Sequence, residues 1–170
     1  EIGTMPTKLD FYISGELARI DQSTKIGTQT TIIDTLLKRN ILLINLMDKK
    51  LGIILDGNDT SNVENIIYSE ESEDFLGIEC KKAIINSINK KTKKSTTSTI
   101  YYTNKIDNSY NINFKKLKGF PIYYEIISNN IISTYLAVEM TKKNIDPKIF
   151  EIDNKTSIYK MEDFRALMTQ

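Results

Sequence analysis

The sequence predicts a mainly β protein built on a strongly curved antiparallel sheet, an incomplete barrel, with a short helical turn and a C-terminal helix. Three observations support this fold class. Isoleucine dominates the apolar residues and is accompanied by nine tyrosines and six phenylalanines, and β-branched and aromatic side chains fit a pleated surface. Apolar and polar residues alternate along several segments, which is the period of a strand. Clusters of Gly, Asn, Asp and Ser interrupt the alternation at hairpin spacing.

The first three strands are predicted near the N-terminus. Alternation over 9–13 indicates a strand, and Ser14-Gly15 after it is typical of a tight turn. The returning strand is predicted over 16–21. A third strand is predicted over 28–34, which is rich in β-branched residues.

The segments 40–46 and 51–55 flank a polar break and are predicted to pair as a hairpin. Ile41 and Leu43 point to one face of such a strand, while Leu42 points to the other. Both faces are therefore apolar, whereas a sheet with one face in water would alternate more cleanly. We expect the second face to be covered by a helix, a second sheet or a ligand.

The later strands follow as further hairpins, and the last one has the most regular alternation. They are predicted over 63–68, 76–86, 97–103, 122–126 and 132–140. The total is roughly nine or ten short strands, and a sheet this long should curl into a partial barrel or over its own C-terminal helix.

Two helical elements are predicted near the C-terminus. Asp146 followed by Pro147 resembles an N-cap with proline at the first helical position, which starts a short turn ending near Phe150. Apolar residues recur every three to four positions over 161–168, so the chain should finish in a short amphipathic helix.

Charge and composition exclude several classes of function. The 23 Lys and Arg residues nearly balance 22 Asp and Glu residues, giving a net charge of +1, so bulk electrostatics predict no nucleic-acid partner. The absence of histidine removes the commonest general base and metal ligand. No apolar run is long enough to span a bilayer, and no P-loop, dinucleotide fingerprint or CxxC is present. We expect no metal, no cofactor and no transmembrane segment.

Candidate catalytic groups are few, and we predict that the protein is not an enzyme. Cys80 has only lysines nearby to activate it, Lys82 being on the same face of a strand, so a core-facing structural cysteine is favoured. Several carboxylates fall near strand ends and could converge in a glycosidase-like cleft, which keeps an enzyme as a minority alternative. These carboxylates are Asp34, Asp56, Asp59 and Glu64.

Arg19 stands out because lysine supplies nearly all the positive charge. On the predicted strand it shares a face with Leu17. A guanidinium beside an apolar position suggests the rim of a concave face or a contact to a ligand head group. The alternative is a cross-strand ion pair at the sheet edge.

Four segments carry a family resemblance. They are FYISGELARID at 11–21, LGIECKK at 76–82, KGFPI at 118–122 and DPKIF at 146–150. In this order they resemble a family of exported bacterial proteins that contain domain of unknown function 4412. That family is similar to the lipoprotein-localisation (Lol) carriers and to the GLPGLI-type proteins of Gram-negative bacteria.

The resemblance implies a Lol-like curved sheet with a helical cover over an apolar concavity, in one domain over 1–170. It also implies export to the periplasm or outer membrane, and Lol carriers hold lipoprotein acyl chains in the concavity. The chain lacks the GLPGLI string and the strand that the family pattern has before Leu9. We therefore expect an upstream strand or signal segment before Glu1.

Two functions are consistent with these observations. The first is binding of a lipid or acyl chain within the curved sheet, by residues chosen as strand positions with apolar neighbours on the same face. These are Phe11, Arg19, Ile33, Leu43, Ile53, Tyr124, Leu136 and Val138. The second is a structural or protein-interaction module of the cell envelope, whose core is filled by its own side chains and whose exposed edge or charged loops meet an envelope protein.

Overall fold

The computed structural model describes residues 6–24, 27–46, 49–55, 62–128 and 131–168. The chain divides into two compact units, one formed by 1–58 with 143–170 and the other by 59–142. Each unit has a sheet of its own, and over the described residues neither sheet closes into a barrel. The predicted mainly β class is confirmed, although the strands divide between two sheets. The single domain over 1–170 stays a prediction.

In chain order the described strands are β1 Lys8–Ser14, β2 Leu17–Thr24, β3 Gly27–Asp34, β4 Arg39–Leu46, β5 Lys49–Leu55, β6 Asn62–Phe75, β7 Ile78–Asn89, β8 Ser95–Thr103, β9 Phe120–Ser128, β10 Ile131–Leu136 and β11 Ser157–Lys160. Two connections between them are long, 104–119 between β8 and β9 and 137–156 between β10 and β11. The described helices are the 3₁₀ turns Asn108–Tyr110 and Pro147–Phe150 and the helix α1 Met161–Met168. The C-terminal helix was predicted correctly.

The first unit is built on a six-stranded sheet with the order β1-β2-β3-β4-β5-β11. All its pairs are antiparallel except β5 with β11, which is parallel. Because side chains alternate along a strand, Ala18, Ile20 and Ile33 fall on one face, and each is at most 1% exposed. Ile53 lies on the same face and is also buried. This face forms the apolar core of the unit.

The opposite face of the six-stranded sheet is also covered around β4 and β5. Ile41 is buried there, and a Cβ added to Gly52 would lie 3.2 Å from Cγ2 of Ile41 and 3.3 Å from Cγ1 of Ile158. The prediction for this hairpin is confirmed, because β4 and β5 are neighbouring antiparallel strands with buried residues on each face.

The turn Pro147–Phe150 has the predicted cap. The Asp146 carboxylate accepts a hydrogen bond of 3.0 Å from the backbone N–H of Lys148, and Pro147 occupies the first position, where a missing N–H costs nothing. Phe150 at the end of the turn is buried.

The second unit is a five-stranded antiparallel sheet with the order β10-β9-β8-β7-β6. One face carries the buried residues Ala83, Ile85 and Ile100. Phe114 and Leu117, from the connection between β8 and β9, pack against them. The sequence predicted no core residue in this connection. Its polar residues instead hold the apolar ones in place, because the Asn108 side chain donates to the carbonyl oxygen of Phe114 over 3.2 Å.

The described strands differ from the prediction at β6, β10 and β11. β6 continues to Phe75, whereas the predicted strand ended at residue 68; its added part includes the acidic residues Glu70, Glu71, Glu73 and Asp74, which are exposed at an edge of the sheet. β10 ends at Leu136, so the predicted extension to residue 140 was wrong. β11 was not predicted, since four residues are too few to show a period. The candidates Asp56 and Asp59 lie outside the described residues.

Candidate functional site

The face of the five-stranded sheet opposite its core carries an open groove of about 370 Å³. The groove lies entirely within the second unit, across strands β6 to β9. It is lined by Glu73, Phe75, Lys82, Ile84, Thr99, Tyr101, Tyr123 and Glu125.

Strand register explains why these side chains meet. Residues directly opposite one another on paired strands point to the same face. Lys82 of β7 is paired with Tyr101 of β8, which is paired with Tyr123 of β9. The next row of the sheet pairs Thr99 with Glu125 in the same way. Two adjacent cross-strand rows therefore form the floor of the groove.

Three aromatic rings form the centre of the groove. The Phe75 ring lies 5.2 Å from that of Tyr101 and 5.6 Å from that of Tyr123, measured between centroids. The two tyrosine rings are 5.7 Å apart and meet edge to face. These are favourable ring geometries. The three side chains, which we call the aromatic triad, brace one another as a preformed surface.

Two carboxylates hold the hydroxyl groups of the triad. The Tyr123 hydroxyl donates to Oε1 of Glu125, and this hydrogen bond, with burial and the carboxylate charge, raises the pKa of Tyr123 to about 12. Burial raises the pKa of Tyr101, and a hydrogen bond with Glu73 contributes in the same direction. Both phenols therefore stay protonated at neutral pH.

A lysine at the margin of the groove is already paired. Nζ of Lys82 lies 2.7 Å from Oε2 of Glu71, and this hydrogen bond lowers the pKa of Glu71 and raises that of Lys82. With Glu73 and Glu125, the neighbourhood holds three carboxylates and one ammonium group. The groove is therefore an electronegative site for an incoming group.

Exposed apolar side chains surround the groove on the same face. Ile67 is paired with Ile84, Ile132 with Ile127, and Leu136 with Tyr123, so register places them on this face. Val63, Ile67, Ile88, Ile127, Ile132 and Leu136 are each between 42% and 63% exposed. A cluster of exposed apolar residues of this kind marks an interaction surface on a folded protein.

The chemistry of the groove suits recognition. Aromatic faces and isoleucines can cover apolar groups, and aromatic rings attract cations over their faces. The carboxylates can accept charge-assisted hydrogen bonds. The raised pKa of Tyr123 makes its phenol a poor proton donor at neutral pH.

The residues predicted to line a ligand pocket are divided between the two units. Phe11, Ile33 and Ile53 share one face of the six-stranded sheet, where the two isoleucines are buried and Phe11 is 40% exposed. Leu43 and Arg19 belong to the opposite face of that sheet. A single lining formed by these residues stays a prediction.

The other three predicted lining residues belong to the second unit. Tyr124 packs on the core face, with its ring stacked 4.8 Å from that of Tyr135. Leu136 lies on the opposite face beside Tyr123. Val138 follows the end of β10 and is 82% exposed. Of the three, Leu136 is the one at the margin of the groove.

Arg19 makes contacts within its own unit. Its Nε donates to Oδ1 of Asp21 over 2.9 Å, and its Nη1 donates to the carbonyl oxygen of Ile149 over 2.8 Å. The ion pair runs along one strand, whereas the sequence suggested a pair across strands. The guanidinium thereby connects the sheet to the turn Pro147–Phe150.

The described candidate catalytic groups Cys80, Asp34 and Glu64 do not line the groove, although Phe75 and Tyr101 of the triad pack against the buried cluster that contains Cys80. Cys80 is fully buried, as predicted for a structural cysteine, and burial raises its pKa. Asp34 accepts a hydrogen bond from the backbone N–H of Leu37 in the first unit, while Glu64 pairs with Lys116 in the second.

Sequence reasoning missed the aromatic triad. The signal was present in the doublets Tyr101-Tyr102 and Tyr123-Tyr124. In a strand, each doublet sends one ring to each face. Pairing the two strands would have placed two tyrosines together on the face away from the core.

Comparison with protein-family models, with curated proteins and with solved structures finds no match to this chain. Within the described residues, no helix combines the length and the apolar character required to cross a bilayer.

Proposed function

We propose that this protein is a non-catalytic binding module whose open face on the five-stranded sheet binds a protein partner. The observation that carries the proposal is the aromatic triad of Phe75, Tyr101 and Tyr123, which is preformed by ring contacts of 5.2 to 5.7 Å and lines a solvent-open groove. Tyrosines are enriched at the energetic centres of protein interfaces, because they supply rigid apolar area together with a polar group.

The partner is expected to present basic and apolar side chains. Glu73 and Glu125 leave the groove electronegative, and Lys82 is neutralised by Glu71. A lysine or arginine of the partner would gain a carboxylate and an aromatic face together. The surrounding isoleucines would cover apolar neighbours of that cation.

The setting that we propose is the bacterial cell envelope, after export to the periplasm or outer membrane. This part of the proposal rests on the resemblance of segments 11–21, 76–82, 118–122 and 146–150 to exported proteins.

A lipid or acyl chain is the second candidate ligand. The exposed side chains of Ile67, Ile132 and Leu136 favour it, since they offer apolar area beside the groove. Covering about ten methylenes would contribute on the order of 8 kcal/mol before the cost of association. Native mass spectrometry with a saturated fatty acid would detect a saturable complex if this candidate is correct.

The main proposal is tested by calorimetric titration with a synthetic peptide of alternating lysine and leucine. A matched peptide has glutamate in place of lysine. We expect the basic peptide to bind, and the double variant Glu73→Gln/Glu125→Gln to weaken binding about tenfold, which corresponds to about 1.4 kcal/mol. The acidic peptide should not bind.

The control is Glu79→Gln/Glu139→Gln, which removes two exposed carboxylates of the same unit outside the groove. It changes the net charge equally and should change affinity by less than about twofold. Equal losses in both double variants would mean that only bulk charge attracts the peptide, and would contradict the proposal.

A further inference from the structure

β10 presents an uncharged, apolar edge. It is the last strand of the five-stranded sheet and consists of Ile131–Leu136, IISTYL. The side chains of Ile131, Ile132 and Leu136 are 42%, 63% and 50% exposed. A strand at the edge of a sheet has backbone groups on its outer side that can pair with another chain, and an apolar edge favours such pairing.

The other edge of the same sheet is protected in two ways. β6 carries the acidic residues Glu70, Glu71, Glu73 and Asp74 along its exposed part. Its register with β7 also shifts between Tyr68 and Ser72. Charges and bulges are the usual features that prevent edge-to-edge pairing. β10 has no charged residue, and its register with β9 is continuous over all six residues.

We propose that β10 pairs antiparallel with β10 of a second copy of this chain. The five-stranded sheets of the two copies would then form one continuous ten-stranded sheet. Like charges do not oppose this pairing, because the strand carries none. This interface lies beside the groove, because it covers Ile132 and Leu136 of the apolar margin, whereas the aromatic triad and its carboxylates lie outside it.

Symmetry restricts the register of such a pair. In a twofold dimer with an axis perpendicular to the sheet, opposed residues must lie on the same face, so their numbers differ by an even value. Centring the axis on Thr134 places Ile132 of one copy opposite Leu136 of the other, on the face that carries the groove. On the other face, Ser133 meets Tyr135 of the second copy.

This register is favoured by the side chains that it brings together. It covers the two most exposed apolar residues of the strand, Ile132 and Leu136, with each other. Of the two neighbouring allowed registers, the one centred on Ser133 would oppose Ile132 to Thr134 and leave Leu136 beyond the described strand of the second copy. The one centred on Tyr135 would oppose Leu136 to Thr134 and leave Ile132 beyond that strand. Burial of apolar area therefore selects Thr134 as the residue on the axis.

The register is tested by disulfide trapping in a Cys80→Ala background. A cysteine at position 134 would lie directly opposite position 134 of the second copy, within bridging distance. A cysteine at 133 would instead lie opposite residue 135, and one at 132 opposite residue 136, so neither could reach the matching cysteine of the second copy. Under mild oxidation we expect Thr134→Cys to form a covalent dimer, and Ser133→Cys and Ile132→Cys to remain uncrosslinked. Trapping at 133 in place of 134 would overturn the proposed register.

The association itself is tested by sedimentation velocity over a range of protein concentrations. We expect the unmodified chain to show a concentration-dependent dimer. The double variant Ile132→Lys/Leu136→Lys, which would oppose like charges, should be monomeric. The control Val138→Lys adds a charge outside the strand and should still dimerise. Circular dichroism of each variant establishes that it is folded. A monomeric unmodified chain, or a dimer that survives Ile132→Lys/Leu136→Lys, would overturn the proposal.

Discussion

The guanidinium of Arg19 donates a hydrogen bond of 2.8 Å from Nη1 to the carbonyl oxygen of Ile149, a residue 130 positions further along the chain. Its Nε contacts both carboxylate oxygens of Asp21 at 2.9 and 3.0 Å. Thr30 completes the arrangement by donating its hydroxyl proton to Asp21 over 2.6 Å. A planar fork of donors can serve several acceptors at once, which a lysine cannot do.

Replacing Arg19 should therefore destabilise the first unit. We expect Arg19→Ala to lower the free energy of unfolding by about 2 kcal/mol and Arg19→Lys by about 1 kcal/mol, because partly buried acceptors lose their donors. Urea unfolding followed by circular dichroism measures both values. Arg39→Ala is the control, since Arg39 is exposed, and it should cost less than about 0.5 kcal/mol. Equal losses at Arg19 and Arg39 would contradict this role.

The outcome for Arg19 illustrates what local patterns can predict. Alternation, β-branched content and turn residues located β1 to β5, and the Asp146-Pro147 pair located a capped turn, because these signals depend on neighbouring residues. The contact between Arg19 and Ile149 depends on how distant segments meet, which no local period encodes. The division into two sheets depends on pairing in the same way.

The groove could not be predicted from the sequence for a similar reason. The sequence contains the alternation that sends Tyr101 and Tyr123 to one face, but only the pairing of β8 with β9 makes them neighbours. The acidic residues Glu70, Glu71, Glu73 and Asp74 are exposed, and the contact of Glu71 with Lys82 depends on the register of β6 with β7. A period of two along a strand assigns each residue to one face of the sheet. It does not determine which strand lies next to it or in what register the two strands pair.

Gly119 is expected to tolerate no side chain. A Cβ at this position would lie 2.4 Å from the backbone oxygen of Thr103 and 2.7 Å from Oδ1 of Asn104. Because a backbone atom cannot move aside easily, Gly119→Ala should cost about 2 to 3 kcal/mol in urea unfolding. Gly52→Ala should cost less, since its nearest neighbours are side-chain atoms. A Gly119→Ala variant as stable as the unmodified chain would refute the packing described around it.

The titration of Tyr123 should depend on Glu125. Folding raises the pKa of this phenol from 10.0 to about 12, so its contribution to stability is complete below pH 10 and is lost as the pH rises through 12. We expect Glu125→Gln to lower the pKa of Tyr123 towards its ordinary value, since the anionic acceptor is removed. Tyrosine-selective NMR during an alkaline titration measures it. Glu139→Gln should leave the titration unchanged, and a shift of equal size there would argue against the pairing.

Cys80 should be unreactive in the folded chain. It is fully buried, and burial raises the pKa of its thiol, so little thiolate forms at neutral pH. We expect an aromatic disulfide reagent to modify it at least about a hundredfold more slowly in the folded chain than in urea, as exposure would then require opening of the core. Rapid modification without denaturant would show that the core around Cys80 is open.

Hydroxyl-radical footprinting with the basic peptide tests the central claim most directly, because it shows which face of the five-stranded sheet is covered on binding. Adjacent tyrosines on opposite faces provide an internal comparison within one experiment. The account predicts that Tyr101 and Tyr123 lose reactivity when the peptide is bound, while Tyr102 and Tyr124 do not change. Unchanged reactivity of Tyr101 and Tyr123 in the bound state would contradict it.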